Sequence, residues 1–163
     1  MRLFILLGIL FSVSSFGLVQ KSGEFTCNRL QPASLKYDCL RVIKGKPVDM
    51  WAAGACDRYQ DSTETYRCMA TIAGNSYQLD VVTACDRYNI PQDTTECLRI
   101  AANQWFNPLA VKACDRFTNA KATNWCFWSV SSCELSDGQI RECDAYTSEQ
   151  DTISCFRYHC GHR

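Results

Sequence analysis

The stretch Ala84 to Cys97, ACDRYNIPQDTTEC, decides the fold. It opens on an Ala-Cys-Asp-Arg-aromatic motif and closes on a second cysteine 12 residues after the first. The same motif stands at Ala55-Cys56-Asp57-Arg58-Tyr59 and at Ala113-Cys114-Asp115-Arg116-Phe117, each 29 residues away. Extending the ruler outward meets Cys27 and Cys143. The second cysteines of the five copies are Cys39, Cys68, Cys97, Cys126 and Cys155. No insertion or deletion disturbs the period. Self-similarity at this spacing marks a repeat protein, whose units bury their apolar faces by stacking on neighbours. The end copies are degenerate, Cys27-Asn28-Arg29-Leu30 and Cys143-Asp144-Ala145-Tyr146, as terminal units facing solvent are expected to be.

Within a unit the pattern is helical. The second cysteine is always followed by a large apolar residue (Leu40, Met69, Leu98, Phe127, Phe156), and three residues on come Ile43, Ile72, Ala101 and Val130. That is an i, i+3 stripe on a helix. Gly45, Gly74 and Asn103 then supply residues that tolerate positive φ and end it. The next helix opens at a capping position held by Asp49, by Asn107 before Pro108, and by Ser136 with Gln139 three residues on. Tyr77, Val81, Ala84 and Tyr88 place an apolar face on that helix. Period-2 alternation is absent. The expected fold is all-α, a disulfide-stapled α-solenoid of about five 29-residue helix-turn-helix repeats beginning near residues 27, 56, 85, 114 and 143.

The N-terminus reads as a secretory leader: Met1-Arg2, an apolar run from Leu3 to Val13, and Ser15-Phe16-Gly17 as a small-x-small cleavage site. The run is too short to span a bilayer. Residues 1–17 are therefore expected to be a signal peptide and 18–163 a single repeat domain, periplasmic or secreted, with no stable membrane insertion after cleavage. All 12 cysteines lie in that domain, which argues for disulfides. With 17 basic and 17 acidic side chains the chain offers no basic surface for nucleic acid.

Across the turn between each first and second cysteine, the two sulfurs face one another in an antiparallel hairpin. This favours Cys27–Cys39, Cys56–Cys68, Cys85–Cys97, Cys114–Cys126 and Cys143–Cys155. The alternative joins each second cysteine to the next first one, as in Cys39–Cys56, and strands Cys27 and Cys155. Cys133 and Cys160 stand off the ruler; a Cys133–Cys160 bridge would tie the tail to the body, and a reactive thiol pair is the rival reading.

Arg58, Arg87 and Arg116 have two readings. They form a ladder gripping carboxylates or phosphates, or each pairs with an acidic residue of a neighbouring unit and holds the stack in register; the repetition favours the second. Asp38, Arg67 and Glu96 flank them. His159 and His162 are weak metal candidates that need Cys160 as a free thiolate. No catalytic triad, phosphate loop or zinc-protease motif is present, no carboxylate pair is singled out, and no cofactor is called for. An enzyme has no supporting residue.

The sharpest local anomaly is Asn124-Trp125-Cys126-Phe127-Trp128. Trp125 takes a slot filled elsewhere by Asp38, Arg67, Glu96 and Ser154, and Trp128 one filled by Arg41, Ala70, Arg99 and Arg157. Those polar occupants mark slots that face water, and i, i+3 spacing puts both indoles on one face. They suggest a contact surface for a protein, peptide or glycan; the opposing reading has the tail cover them. Trp51 and Trp105, near helix starts, are read as packing residues.

Two helices per unit with a cysteine on each resembles the disulfide-stapled, cysteine-rich relatives of tetratricopeptide-type helical-repeat proteins exported by bacteria, although the 29-residue unit and 12-residue cysteine spacing differ from that group. The resemblance implies an adaptor or recognition role outside the cytoplasm and carries over no binding residue. The sequence thus points to an exported, non-enzymatic interaction module, with an envelope hydrolase acting on a cell-wall-like substrate and a purely structural secreted protein as the other readings.

Overall fold

The computed structural model describes residues 22–131 and 133–161; the expected leader and His162 lie outside them. Among the described residues the chain forms helices only, ten of them: α1 (22–28), α2 (Ala33–Ile43), α3 (Met50–Asp57), α4 (Ser62–Ile72), α5 (Leu79–Asp86), α6 (Pro91–Ala101), α7 (Pro108–Asp115), α8 (Ala120–Val130), α9 (Asp137–Asp144) and α10 (Glu149–His159). From α3 onward, helices of 8 and 11 residues alternate, each type recurring in step with the cysteine ruler. The long helices pack side by side in one layer, α2 on α4, α4 on α6, α6 on α8 and α8 on α10. The short helices pack in the other, α3 on α5, α5 on α7 and α7 on α9. The chain is a two-layer, disulfide-stapled helical repeat.

The caps explain the boundaries. Asp49 Oδ1 accepts from the backbone N–H groups of Trp51 and Ala52 at 2.9 and 3.0 Å, Asn107 caps α7 ahead of Pro108, and Ser136 with Gln139 closes a capping box on α9. The long helices have caps of their own, Asp61 on α4, Asn119 on α8 and Ser148 on α10. The helix around Val81 is shorter than its apolar face implies: Tyr77 and Tyr88 both lie outside α5. Helix exits also keep the period. Gly45, Gly74 and Asn103 adopt φ of 73°, 89° and 58°, and Gly161 repeats the device at 72° in the last unit. These reversals serve the stack, because the N–H of Gly74 donates to the carbonyl of Pro47 at 2.8 Å and that of Asn103 to Ser76 at 3.0 Å.

Six bridges, Cys27–Cys39, Cys56–Cys68, Cys85–Cys97, Cys114–Cys126, Cys143–Cys155 and Cys133–Cys160, engage every cysteine. Those on the ruler have Cα atoms 5.4 or 5.5 Å apart, within the ordinary range for a bridge. Such density belongs to a chain that folds in an oxidising, extracytoplasmic compartment. No helix among the described residues is long and apolar enough to cross a membrane.

The core runs between the layers. Met69, Leu98, Phe127 and Phe156 project from the long helices and are fully buried. Opposite them the short helices present small residues, Ala52, Ala55, Ala84, Ala110 and Ala113, which let the layers approach closely. Phe127 meets Phe106 edge to face at 5.6 Å between ring centres.

Because helices of 8 and 11 residues are too short to persist alone, each bridge is expected to matter. Replacing Cys85 and Cys97 together by alanine should lower unfolding stability by about 2–3 kcal/mol, read from the urea midpoint. Burial pushes the Tyr77 hydroxyl from 10.0 up to about 12. The unfolded chain then releases this proton first, so stability is full below pH 10.0 and falls as pH rises toward about 12. Tyr77→Phe should flatten that decline in unfolding midpoints measured across the alkaline range.

Candidate functional site

The Asp-Arg motif builds a forward-reaching link between units. Arg29 pairs with Asp57 at 2.6 Å, Arg58 with Asp86 at 3.0 Å, Arg87 with Asp115 at 3.2 Å and Arg116 with Asp144 at 2.9 Å. Each guanidinium also reaches a backbone carbonyl of the next unit: Arg58 that of Tyr88, Arg87 that of Phe117 at 2.7 Å, and Arg116 that of Tyr146 at 2.6 Å. A third contact goes to the hydroxyls of Thr94, Thr123 and Thr152 in the first turn of the next long helix. The link stops at both ends, where Asn28 replaces the aspartate and Ala145 the arginine.

The threonines are a feature the sequence reading passed over. Thr65, Thr94, Thr123 and Thr152 keep the 29-residue period and are all buried, which was the available signal. Asp38, Arg67 and Glu96 do not join the ladder. They make pairs inside their own helices, Arg41–Asp38 at 2.8 Å, Arg67–Glu64 at 2.7 Å and Arg99–Glu96 at 2.7 Å, because i, i+3 spacing satisfies them locally.

Trp125 and Trp128 stand on the outer face of α8, 54 % and 43 % exposed. Their rings meet edge to face, 5.8 Å between centres and 69° between planes, so the indoles form a corner. The Cys133–Cys160 bridge joins the segment after α8 to the end of α10. On one side of the corner an open groove of about 420 Å³ runs between α6 and α8, lined by both tryptophans, Ile100, and polar side chains from both helices. On the other, Trp125 borders a second groove of about 440 Å³ between α8 and α10.

The polar rim of the first groove consists of Asp93, Glu96, Arg99, Lys121 and Asn124. Arg99 grips Glu96 with two parallel hydrogen bonds, Nε to Oε2 and Nη2 to Oε1, both 2.7 Å. Those hydrogen bonds, with the guanidinium charge and against partial burial, hold the Glu96 carboxyl below its usual range. Asn124 is 6 % exposed and donates from Nδ2 to the Asp93 carbonyl at 3.1 Å, while its Oδ1 has no protein partner. The sequence reading names Glu96 and Arg99 only as occupants of the two repeated slots and passes over Asp93, Lys121 and Asn124, because the rim forms only where two units lie side by side.

The remaining candidates fall elsewhere. Trp51 and Trp105 are 53 % and 69 % exposed, not packed as expected, because the neighbouring Ala52 and Phe106 fill the core seats beside them. His159 Nε2 lies 3.4 Å from a Glu142 carboxylate oxygen, and its Nδ1 lies 3.3 Å from the Gln139 amide nitrogen. Cys143 and Cys155 are the sulfurs that converge on it, and both are tied up in their mutual bridge rather than available as thiolates.

No protein-family model matches the chain, no characterised protein is significantly similar to it, and no solved structure matches its fold at significance.

The contrast between the two arginine classes is measurable. Arg87→Met removes the bonds to the Phe117 carbonyl, the Asp115 carboxylate and the Thr123 hydroxyl of the next unit, and should cost about 1–3 kcal/mol. Arg99→Met removes only an exposed pair and should cost less than about 1 kcal/mol. Equal urea midpoints for the two variants would contradict this assignment.

Proposed function

We propose that this protein is an exported, non-enzymatic interaction module that uses the Trp125–Trp128 corner to hold a protein, peptide or glycan partner, in the periplasm or outside the cell. The observation that carries this reading is the exchange of residues in two water-facing slots. In the first and third units these slots hold ion pairs, Asp38–Arg41 and Glu96–Arg99; in the fourth they hold two half-exposed indoles. Apolar area of this size on a solvent face raises no core stability and is characteristic of contact surfaces. The resemblance to exported, cysteine-rich relatives of tetratricopeptide-type proteins supports an adaptor role of the same kind. The leader read in residues 1–17 and the six bridges support export.

The hydrolase reading has one observation in its favour, since Asp93 and Glu96 both line the groove. Its weakness is electrostatic. A general acid needs a carboxyl whose proton is held more tightly than usual, and Arg99 moves Glu96 the opposite way.

The test is retention of envelope components on immobilised wild type against Trp125→Ala/Trp128→Ala. Loss of the retained species in the double variant is expected. Identical retained species would remove the corner from consideration.

A further inference from the structure

We propose that the occupant of the Trp125–Trp128 corner is a neutral oligosaccharide, a proposal that rests on the interaction-module reading above and narrows it to one ligand class. Four features of the groove between α6 and α8 converge on that chemistry.

The first is the apolar component. Two indoles set 69° apart offer one flat face and one wall, both partly exposed. A pyranose ring has broad faces of C–H bonds that stack on such a surface, and a rim of hydroxyls that still needs hydrogen bonds. The second is the rim of planar polar groups around the corner: the carboxylates of Asp93 and Glu96, the guanidinium of Arg99 and the amide of Asn124. Glu96 and Arg99 are locked in plane by their paired hydrogen bonds, so their remaining donor and acceptor positions are fixed before a ligand arrives. Pre-set partners lower the ordering cost of binding a hydroxyl-rich molecule.

The third feature is charge. Asp93 and Glu96 are balanced by Arg99 and Lys121, so the groove favours neither an anion nor a cation. A phosphorylated, uronic-acid or polyamine ligand gains nothing there. The fourth is the buried Asn124, whose Oδ1 lacks a protein partner at the groove wall while its Nδ2 is anchored to the Asp93 carbonyl. A buried amide oxygen left unpaired costs free energy, and a hydroxyl donor at the groove relieves it as the wall relaxes.

A peptide fits less well. Every backbone group facing the groove belongs to a helix, so an extended peptide finds no sheet edge to join. An amphipathic helix needs a row of apolar pockets, and beyond the indoles the groove supplies only Ile100. Its volume of about 420 Å³ suits a small ligand rather than a folded domain.

The experiment is isothermal titration of the disulfide-intact protein with neutral oligomers of glucose, N-acetylglucosamine, mannose and galactose, and with an oligogalacturonate as the anionic arm. Binding of at least one neutral oligomer is expected, with dissociation constants that change less than twofold between low and high salt, since no charge pairing is involved. Trp125→Ala and Trp128→Ala should each weaken that binding at least tenfold. Trp51→Ala and Trp105→Ala, which remove exposed indoles elsewhere, should leave it unchanged. Far-ultraviolet circular dichroism and the intact disulfide mass establish that each variant is folded. Preference for the oligogalacturonate, or equal loss in the Trp51 variant, overturns the proposal. So does absence of neutral binding. If neutral oligomers fail while envelope extract still yields a protein retained in a Trp125-dependent way, the oligosaccharide is wrong and the interaction module stands. If nothing is retained by either route, both fall.

Discussion

A helix of eight residues cannot hold itself together in water, and one of eleven scarcely can. The structure depends on the cross-link that joins one of each across a short turn. The bridge fixes the hairpin covalently, so the unit arrives at the stack with most of its ordering already done. Once paired, the two helices present one apolar strip, and the only remaining task for the core is to join strips. That explains how a thin two-layer array can use alanines over much of one layer and still close its interior.

Cohesion is divided by direction. Inside a unit it is covalent; between units it is carried by side-chain burial, by the arginine that reaches forward and by backbone bonds such as Gly74 to Pro47, with the Cys133–Cys160 bridge added between the last two units. The arginine's contribution is mainly geometric. Its ion pair is partly solvated and modest in energy, but the added bonds to a carbonyl and to a buried threonine fix both the rotation and the rise of the following unit. The cation also lies over the ring of the aromatic residue that follows it, 5.7 Å from Tyr59 for Arg58 and 5.4 Å from Phe117 for Arg116, which accounts for the aromatic at that place in the motif.

Much of this architecture was legible before any coordinates, for a physical reason. A repeat states each structural constraint several times over. The positive-φ position is written as Gly45, Gly74 and Asn103, and the short-helix cap as Asp49, Asn107 and Ser136, so each reading had its own internal controls. What stayed hidden is whatever occurs once or is shared between two units. The exposure of Trp51 and Trp105 turns on which of two adjacent residues takes the core seat, and period alone does not rank Trp105 against Phe106. The polar groove wall, with Asn124 from one helix and Asp93 from another, exists only when two units lie side by side. Thr94 and its counterparts were visible as a period, but a buried hydroxyl in a helix's first turn looks like an ordinary capping-region residue until the arginine above it is seen.

The forward reach of Arg58, Arg87 and Arg116 bears on how such a chain changes over generations. Every contact they make lands a fixed number of residues downstream, so excising one whole middle module would hand Arg58 the carboxylate of Asp115 in place of Asp86, the carbonyl of Phe117 in place of that of Tyr88 and the hydroxyl of Thr123 in place of that of Thr94. Gain or loss of any other number of residues would misplace all three contacts together. The array is thus free to lengthen or shorten by duplication in whole modules, while the bespoke tryptophan corner travels with the single unit that carries it.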